Sequence, residues 1–473
     1  MSTASLLEAH AVTIETPGGR TLVRELSLRL GREHVAVIGR NGVGKSTMLE
    51  VLAERRAATQ GRIVCRGRRL LVPQYLPGEV AADDDPAASP GERRRQLLEA
   101  AFDAHPDLLL LDEPTSDLDG TGITWLVQRL ALWRGGLLVV SHDRRLLRTF
   151  RRFFVVAESG CRYVEGTFDD LLADLARERE ESDRRYLGEI NRLVAKEEHN
   201  AAVRRRRQRK KNVGRIRELK RCPARIKLND KRSYKQESQG KRAVLQKDRI
   251  AAARDAVKAS RRALPVALSL EIALPRLPDG PAAPVISCEA VTAVAGERRL
   301  FSALSLDLSR DRIAVCGPNG SGKTTLLEIA LGLRRPVSGR TRCDTSRVGY
   351  IAQDAANWRM DESLTELMAT QLATASPETV AQILRVHRFP LALADRPLAT
   401  LSPGERVRAA LICLTRREPP PELLVLDEPT QHLDFVGLAA LEAILAAWPG
   451  GLLVVSHDAE FLDAIGVSRR LDL

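Results

Sequence analysis

Short apolar runs, each closed by a glycine-rich or acidic turn, recur along the chain in two matching sets. Val35-Ala36-Val37-Ile38 leads into a turn over Gly39–Gly44, and Ile313-Ala314-Val315-Cys316 leads into one over Gly317–Gly322. Each pattern predicts a strand, a tight loop and a helix beginning at Lys45 or Lys323. Leu108–Leu111 and Leu423–Leu426 are unbroken apolar runs that end in Asp-Glu. Such runs, without alternation, predict strands buried on both faces of a parallel sheet. Between the two sets, from Asp169 to Leu264, the pattern changes. Leu172, Leu175, Tyr186 and Leu193 fall near a seven-residue spacing, with no proline as far as Lys211. This predicts a helix of roughly 40 residues, about 60 Å long. Val244, Ala251, Ala252 and Val257 mark a return helix over about Gly240 to Ala263. Gly214, Cys222-Pro223 and Asn229-Asp230 place a tip between about 212 and 240. The two helices suit a thin-seamed antiparallel pair. Pro265, Pro275, Pro278, Pro281 and Pro284 then mark an extended tether.

The two sets are copies. Ile38–Thr47 recurs as Cys316–Thr325, Leu109–Thr115 as Leu424–Thr430, and Gly135–Asp143 as Gly450–Asp458. Ser89-Pro90-Gly91-Glu92 recurs as Ser402-Pro403-Gly404-Glu405. Four motifs in one order imply a duplicated domain, spanning about 1–168 and 268–473 around a linker at 169–267. The expected fold class is α/β: two P-loop NTPase domains joined by an α-helical hairpin linker.

Charge changes the picture of that linker. Asp169 to Leu264 holds 30 Lys+Arg against 15 Asp+Glu, a net charge of about +15, while the whole chain of 473 residues carries +13. Everything outside it therefore sums to about −2. A run such as Arg204-Arg205-Arg206-Arg207 commonly marks only a solvated helix face. The excess of one sign, between two nucleotide-binding patterns, favours a polyanionic partner instead, as does the pI of about 9.7. In the tip, Arg221, Arg225, Lys227, Lys231, Arg232 and Lys235 suit phosphate contacts on folded RNA. Tyr234 is the lone aromatic there, and aromatic residues make up 4% of the chain, which disfavours recognition by base stacking. No apolar run approaches the roughly 20 residues of a membrane span. The first residues lack the basic and apolar pattern of a leader. Seven cysteines without CxxC spacing suit reduced thiols. Together these predict a cytoplasmic protein without membrane insertion.

The glycine-rich turns supply the chemistry. GxxxxGK[ST], following a strand and opening a helix, wraps backbone N–H groups around phosphates. ATP is the expected ligand, held by Gly39, Asn41, Gly42, Gly44, Lys45, Ser46 and Thr47 in one copy. Gly317, Asn319, Gly320, Gly322, Lys323, Thr324 and Thr325 serve in the other. Lys45 and Lys323 reach the β/γ-phosphates, while Ser46 and Thr324, with Asp112 and Asp427, hold Mg²⁺. Glu113 and Glu428 are the candidates for polarising the attacking water. Ser-Pro-Gly-Glu, read alone, is a helix N-terminus with a capping box. It stands 23 and 25 residues ahead of Asp112 and Asp427, and an exposed helix start is also an anion site that could close over a nucleotide held by the other copy.

The full set of motifs resembles the ATP-binding-cassette (ABC) nucleotide-binding domains. Two of them around a charged linker resemble the ABC-F family of ribosome-associated ATPases. The resemblance implies that Gln74 and Gln353 are Q-loop residues, that His142 and His457 are switch histidines, and that Asp119 and Asp434 are D-loop residues. It makes Ser89, Gly91, Ser402 and Gly404 signature-loop contacts to the γ-phosphate. One composite site then joins Lys45 and Glu113 to Ser402, and the second joins Lys323 and Glu428 to Ser89. The implied partner is the ribosome, through rRNA and peptidyl-tRNA. The chain would bind near the tRNA exit site as a monomer with paired cassettes and act on the peptidyl-transferase region. Protection from antibiotics and regulation of translation are both implied; the alternative is an ATPase subunit of a transporter.

Three departures stand out. Pro90 and Pro403 replace the family's glycine and remove a backbone donor. Thr16-Pro17 and Val294-Ala295 stand where an adenine-stacking aromatic is usual. Gln74 to Ser89 is 15 residues against 49 from Gln353 to Ser402, so the first copy has lost most of a helical subdomain.

Overall fold

In the computed structural model, the described residues are 5–16, 18–74, 90–157, 160–178, 181, 184, 188, 274–277, 283–296, 298–372, 376–387, 389, 391–431 and 433–473. The chain forms two units, residues 1–168 with 268–473, and residues 169–267. In the second unit, 169–178 is helical. The predicted tip, the return helix and the basic residues Arg221 to Lys235 lie outside the described residues, as do Ser89 and Pro17.

Each copy is built on a parallel sheet with the phosphate-loop strand inside it. In the first copy the strand order is Arg69–Val72, Leu108–Asp112, Gly136–Val140, His34–Gly39, Arg152–Ala157, with Gly160–Glu165 antiparallel at the edge. In the second it is Val348–Ile351, Leu423–Asp427, Gly451–Val455, Arg312–Cys316, Arg469–Asp472, all parallel. Every residue of Leu108–Asp112, Gly136–Val140, Leu423–Asp427 and Gly451–Val455 is buried. That is why these strands read as continuous apolar runs: both faces are covered, so apart from the terminal Asp112 and Asp427 no position is left for a polar residue. A three-stranded antiparallel sheet accompanies each parallel sheet, Thr21–Leu30, Leu7–Glu15, Gln60–Cys65 in the first copy and Arg298–Leu308, Ile286–Ala295, Ser338–Cys343 in the second. Its residues join the same apolar core as the phosphate-loop helix.

The copies differ between the Gln and the Ser-Pro-Gly-Glu motif. In the second, helices Leu364–Gln371, Pro377–Val386 and Leu391–Ala394 fill the interval around a small core of Leu364, Met368, Val380, Leu384 and Phe389. In the first, the interval is residues 75–89, outside the described residues.

The helix Pro90–Asp103 that follows this interval makes contacts its counterpart Pro403–Arg416 does not. Arg94, buried on its inner face, donates to Pro73 O (2.7 Å), Asp112 O (2.9 Å), Glu113 O (3.0 Å) and Gln74 O (3.4 Å). The matching residue of the second copy is Val407, packed in an apolar cluster with Ala355 and Leu433. One guanidinium thus ties the Gln74 loop to the strand end that carries Glu113, where the other copy uses hydrophobic packing. Replacing Arg94 by Ala strands buried carbonyls and is expected to cost about 2–4 kcal/mol. Denaturant unfolding measures this, and Val407→Ala, which trims only methyl groups, should cost less.

Candidate ATP sites

Both phosphate loops depend on glycine where the backbone turns left-handed. Gly44 (φ 101°) and Gly322 (φ 104°) stand directly before the helices Lys45–Leu52 and Lys323–Ala330. A Cβ at either would stand 2.9 Å from Leu22 Cβ or 3.0 Å from Leu300 Cβ. The loop can therefore lie against the neighbouring strand only without a side chain. Lys45 Nζ donates to Gly39 O (2.7 Å) and Arg40 O (3.0 Å), and Lys323 Nζ to Gly317 O (2.9 Å) and Pro318 O (3.0 Å). Each ammonium is thus held over its own loop, where phosphate oxygens would replace the carbonyls.

The acidic pairs stand where the parallel strands end. Thr324 Oγ1 donates to Asp427 Oδ2 at 2.9 Å, and Ser46 bonds to Asp112. Burial pushes both aspartates above the usual carboxylate range, opposed by these hydroxyl bonds. Asp112 Oδ1 is buried without a hydrogen-bond partner among the described residues. An orphaned buried carboxylate oxygen beside a helix-start hydroxyl is the hard oxygen set that Mg²⁺ takes alongside phosphate oxygens. The donors fit that ion.

Glu113 and Glu428 both have φ of 44°, a left-handed conformation uncommon for a non-glycine residue. Sheet contacts enforce it: the Glu113 N–H donates to Val140 O (2.9 Å) and that of Glu428 to Val455 O (3.0 Å). Strain of this kind, stored identically in both copies, is often found where a side chain must be aimed. His142 Nε2 lies 3.5 Å from Glu113 Oε1, and His457 Nε2 lies 3.0 Å from Glu428 Oε1. Burial raises the Glu113 carboxyl to about 8, with Lys45 pulling the other way. It also lowers Lys45, and holds His142 well below the ordinary histidine value with help from the Lys45 charge. His142 therefore stays neutral beside a carboxyl that must give up its proton to act as a base.

The two copies face each other across these loops. Asp434 caps the helix Phe435–Ala447 through Gly437 N (2.8 Å), and its other oxygen accepts from Asn41 N (3.3 Å). In return Asn319 Nδ2 donates to Asp117 O at 2.8 Å, and Asp119 caps Gly120–Leu132 through Gly122 N (2.8 Å). A cleft of about 620 Å³ is lined by Asn41, Lys45, Gln74, Glu113 and, from the other copy, Ser402. Ser402 caps Pro403–Arg416 in a complete capping box with Glu405, with Pro403 in the first helical turn. Cap and cleft wall are the same residue. On the other side, a Cβ on Gly91 would stand 3.3 Å from Asn319 Nδ2, so this motif faces the second phosphate loop. Gln353 Nε2 donates to Gln431 Oε1 at 2.7 Å. Arg94 and Phe435 were not singled out from the sequence. Aligning the copies would have flagged both, since Arg94 stands opposite Val407 and Phe435 opposite Gly120.

This fold, with two strand–loop–helix phosphate sites facing each other in one chain, defines a tandem ATP-binding-cassette protein. The ABC transporter family model matches residues 23–82 and 301–431. The chain is similar to the ribosome protection protein VmlR of Bacillus subtilis, 29% identical over 461 residues, covering 91% of this chain and 80% of VmlR. It is similar to YbiT of Escherichia coli O157:H7, described as a probable ATP-binding protein, 30% identical over 406 residues and covering 85% and 69% of the two chains. Human ATP-binding cassette sub-family F member 3 is 28% identical over 534 residues, covering 94% and 68%. The chain belongs to the ABC-F family, whose members are ATPases of paired cassettes. Among solved structures, an archaeal ribosome recycling factor, aABCE1, shares the fold, with a TM-score of 0.58, 17% identity, and 96% and 86% coverage. Among the described residues no helix is long and apolar enough to cross a membrane.

Proposed function

We propose that the chain hydrolyses ATP at two composite sites and uses the resulting closure and release to work a basic linker against ribosomal RNA. The observation that carries this reading is the shared cleft, in which Lys45 and Glu113 of one copy face Ser402 of the other. A phosphate chain bound there touches both copies, so binding energy goes into holding them together. Lys45 gathers the phosphates, and Gly42 and Gly44 offer backbone N–H groups. Ser402 and Gly404 approach the terminal phosphate from across the interface. Ser46 and Asp112, or Thr324 and Asp427, would hold Mg²⁺, which would neutralise charge on the phosphate oxygens. Glu113 or Glu428 accepts the proton of the attacking water while His142 or His457 orients the γ-phosphate side. Cleavage breaks the β–γ bond, departure of the freed phosphate removes the charge that bridged the copies, and the pair opens.

The linker's share of this function rests on its charge, on membership of the ABC-F family and on likeness to VmlR, which is named for ribosome protection. Placement near the tRNA exit site, action on the peptidyl-transferase region and a protective or regulatory outcome belong to this proposal. A purified chain carrying both Glu113→Gln and Glu428→Gln is expected to pellet with ribosomes in the presence of ATP, and to stay in the supernatant without it. Pelleting with membranes and not with ribosomes would mean a transporter subunit instead.

A further inference from the structure

His142 is gripped from the opposite copy. The ring of Phe435, first residue of the helix Phe435–Ala447, meets the His142 imidazole edge-on, with centroids 5.3 Å apart and planes at 60°. Phe435 also meets Phe168 at 5.4 Å, and Phe168, 1% exposed, packs on Phe153 at 6.1 Å. Charge reinforces the same contact. Arg144, two residues past His142, pairs with Glu442 of the Phe435 helix at 2.9 Å and with Glu460 at 3.7 Å. Arg148 pairs with Glu460 as well.

The duplication provides an internal control, because the same places can be read in the other copy. Phe435 corresponds to Gly120, Glu442 to Val127, Arg144 to Ala459 and Arg148 to Asp463. Gly120 carries no ring to set against His457, and Ala459 and Val127 cannot form the ion pair. Asp463 has the opposite sign and pairs with Arg470 within its own copy. The grip is therefore built on one side of the interface.

We infer that Phe435 is a positioning residue for His142, so that the Glu113 site is set for hydrolysis by a contact the Glu428 site lacks. The inference rests on the reading that the Glu113 site hydrolyses ATP. A histidine held by a neighbouring ring keeps one rotamer, and a catalytic group that must find its place during the reaction loses rate accordingly. Phe435 does not line the cleft, so its loss acts on turnover and not on nucleotide affinity.

The test uses the full chain in two backgrounds. With the second site silenced by Glu428→Gln, Phe435→Ala is expected to lower kcat about tenfold while KM for ATP moves less than about twofold. Phe435→Tyr, which keeps the ring, should restore most of the rate. With the first site silenced by Glu113→Gln, Phe435→Ala should leave the residual rate within about twofold, which a residue that merely stabilises the interface would not do. Equal losses in both backgrounds, or no loss in the first, overturn the inference. If the Glu428→Gln parent itself fails to turn over, the reading of the Glu113 site as a hydrolase falls first, and the positioning role with it.

Discussion

Glu113→Gln is expected to remove most of the ATP turnover of the chain, and Glu428→Gln to leave at least half of it. A carboxylate that accepts a proton from attacking water is worth about 10²–10⁴ in rate, so each substitution silences one site, and the remainder reports the other. The sites are not equivalent. The one containing Glu113 is closed by Ser402, whose helix is fixed by a complete capping box and stands behind three further helices. The one containing Glu428 is completed by a motif reached through an interval of 15 residues in place of 49. Phe435 faces His142, and Gly120 stands in the corresponding place opposite His457. Steady-state phosphate release at saturating ATP checks this directly. The double variant should fall by about 100-fold or more. Equal rates for the two single variants would sink the asymmetry, because both sites would then contribute alike.

The fold was legible where the code is local. Leu108–Leu111 and Leu423–Leu426 announced parallel strands because burial on both faces removes every polar position, and the structure has strands Leu108–Asp112 and Leu423–Asp427. The phosphate loops were equally legible, since glycine spacing and the following lysine describe one backbone turn. Ser402 to Glu405 announced a capped helix start through residues three apart. What escaped was whatever depends on the copies meeting. Nothing in the neighbourhood of Phe435 says that its ring will lie on a histidine 293 residues earlier. Arg94 escaped for a related reason. It reads as one more surface charge on a helix with Arg93 and Arg95, but in the fold it donates to four carbonyls far from it in the local sequence pattern. The duplication held both clues, because a charge or a ring opposite an aliphatic residue or a glycine marks a place where the copies have taken different work.

Neutralising the linker tip gives the other large effect. In a chain with Arg221, Arg225, Lys227, Lys231, Arg232 and Lys235 all changed to Gln, ribosome affinity is expected to fall at least about 100-fold near physiological salt. The argument is electrostatic. The segment from Asp169 to Leu264 carries about +15 while the rest of the chain sums to about −2, so the attraction to RNA phosphate is concentrated in the linker. Each phosphate contact releases condensed counterions, and six lost contacts should flatten the plot of log affinity against log salt by about 4. Turnover without ribosomes should be unchanged, because Lys45, Glu113, Lys323 and Glu428 belong to the other unit of the chain. Affinity lost together with basal turnover would point to misfolding of the cassettes. Affinity and salt slope both retained would remove the linker from the interaction, and the ribosome contact would have to come from the cassettes themselves.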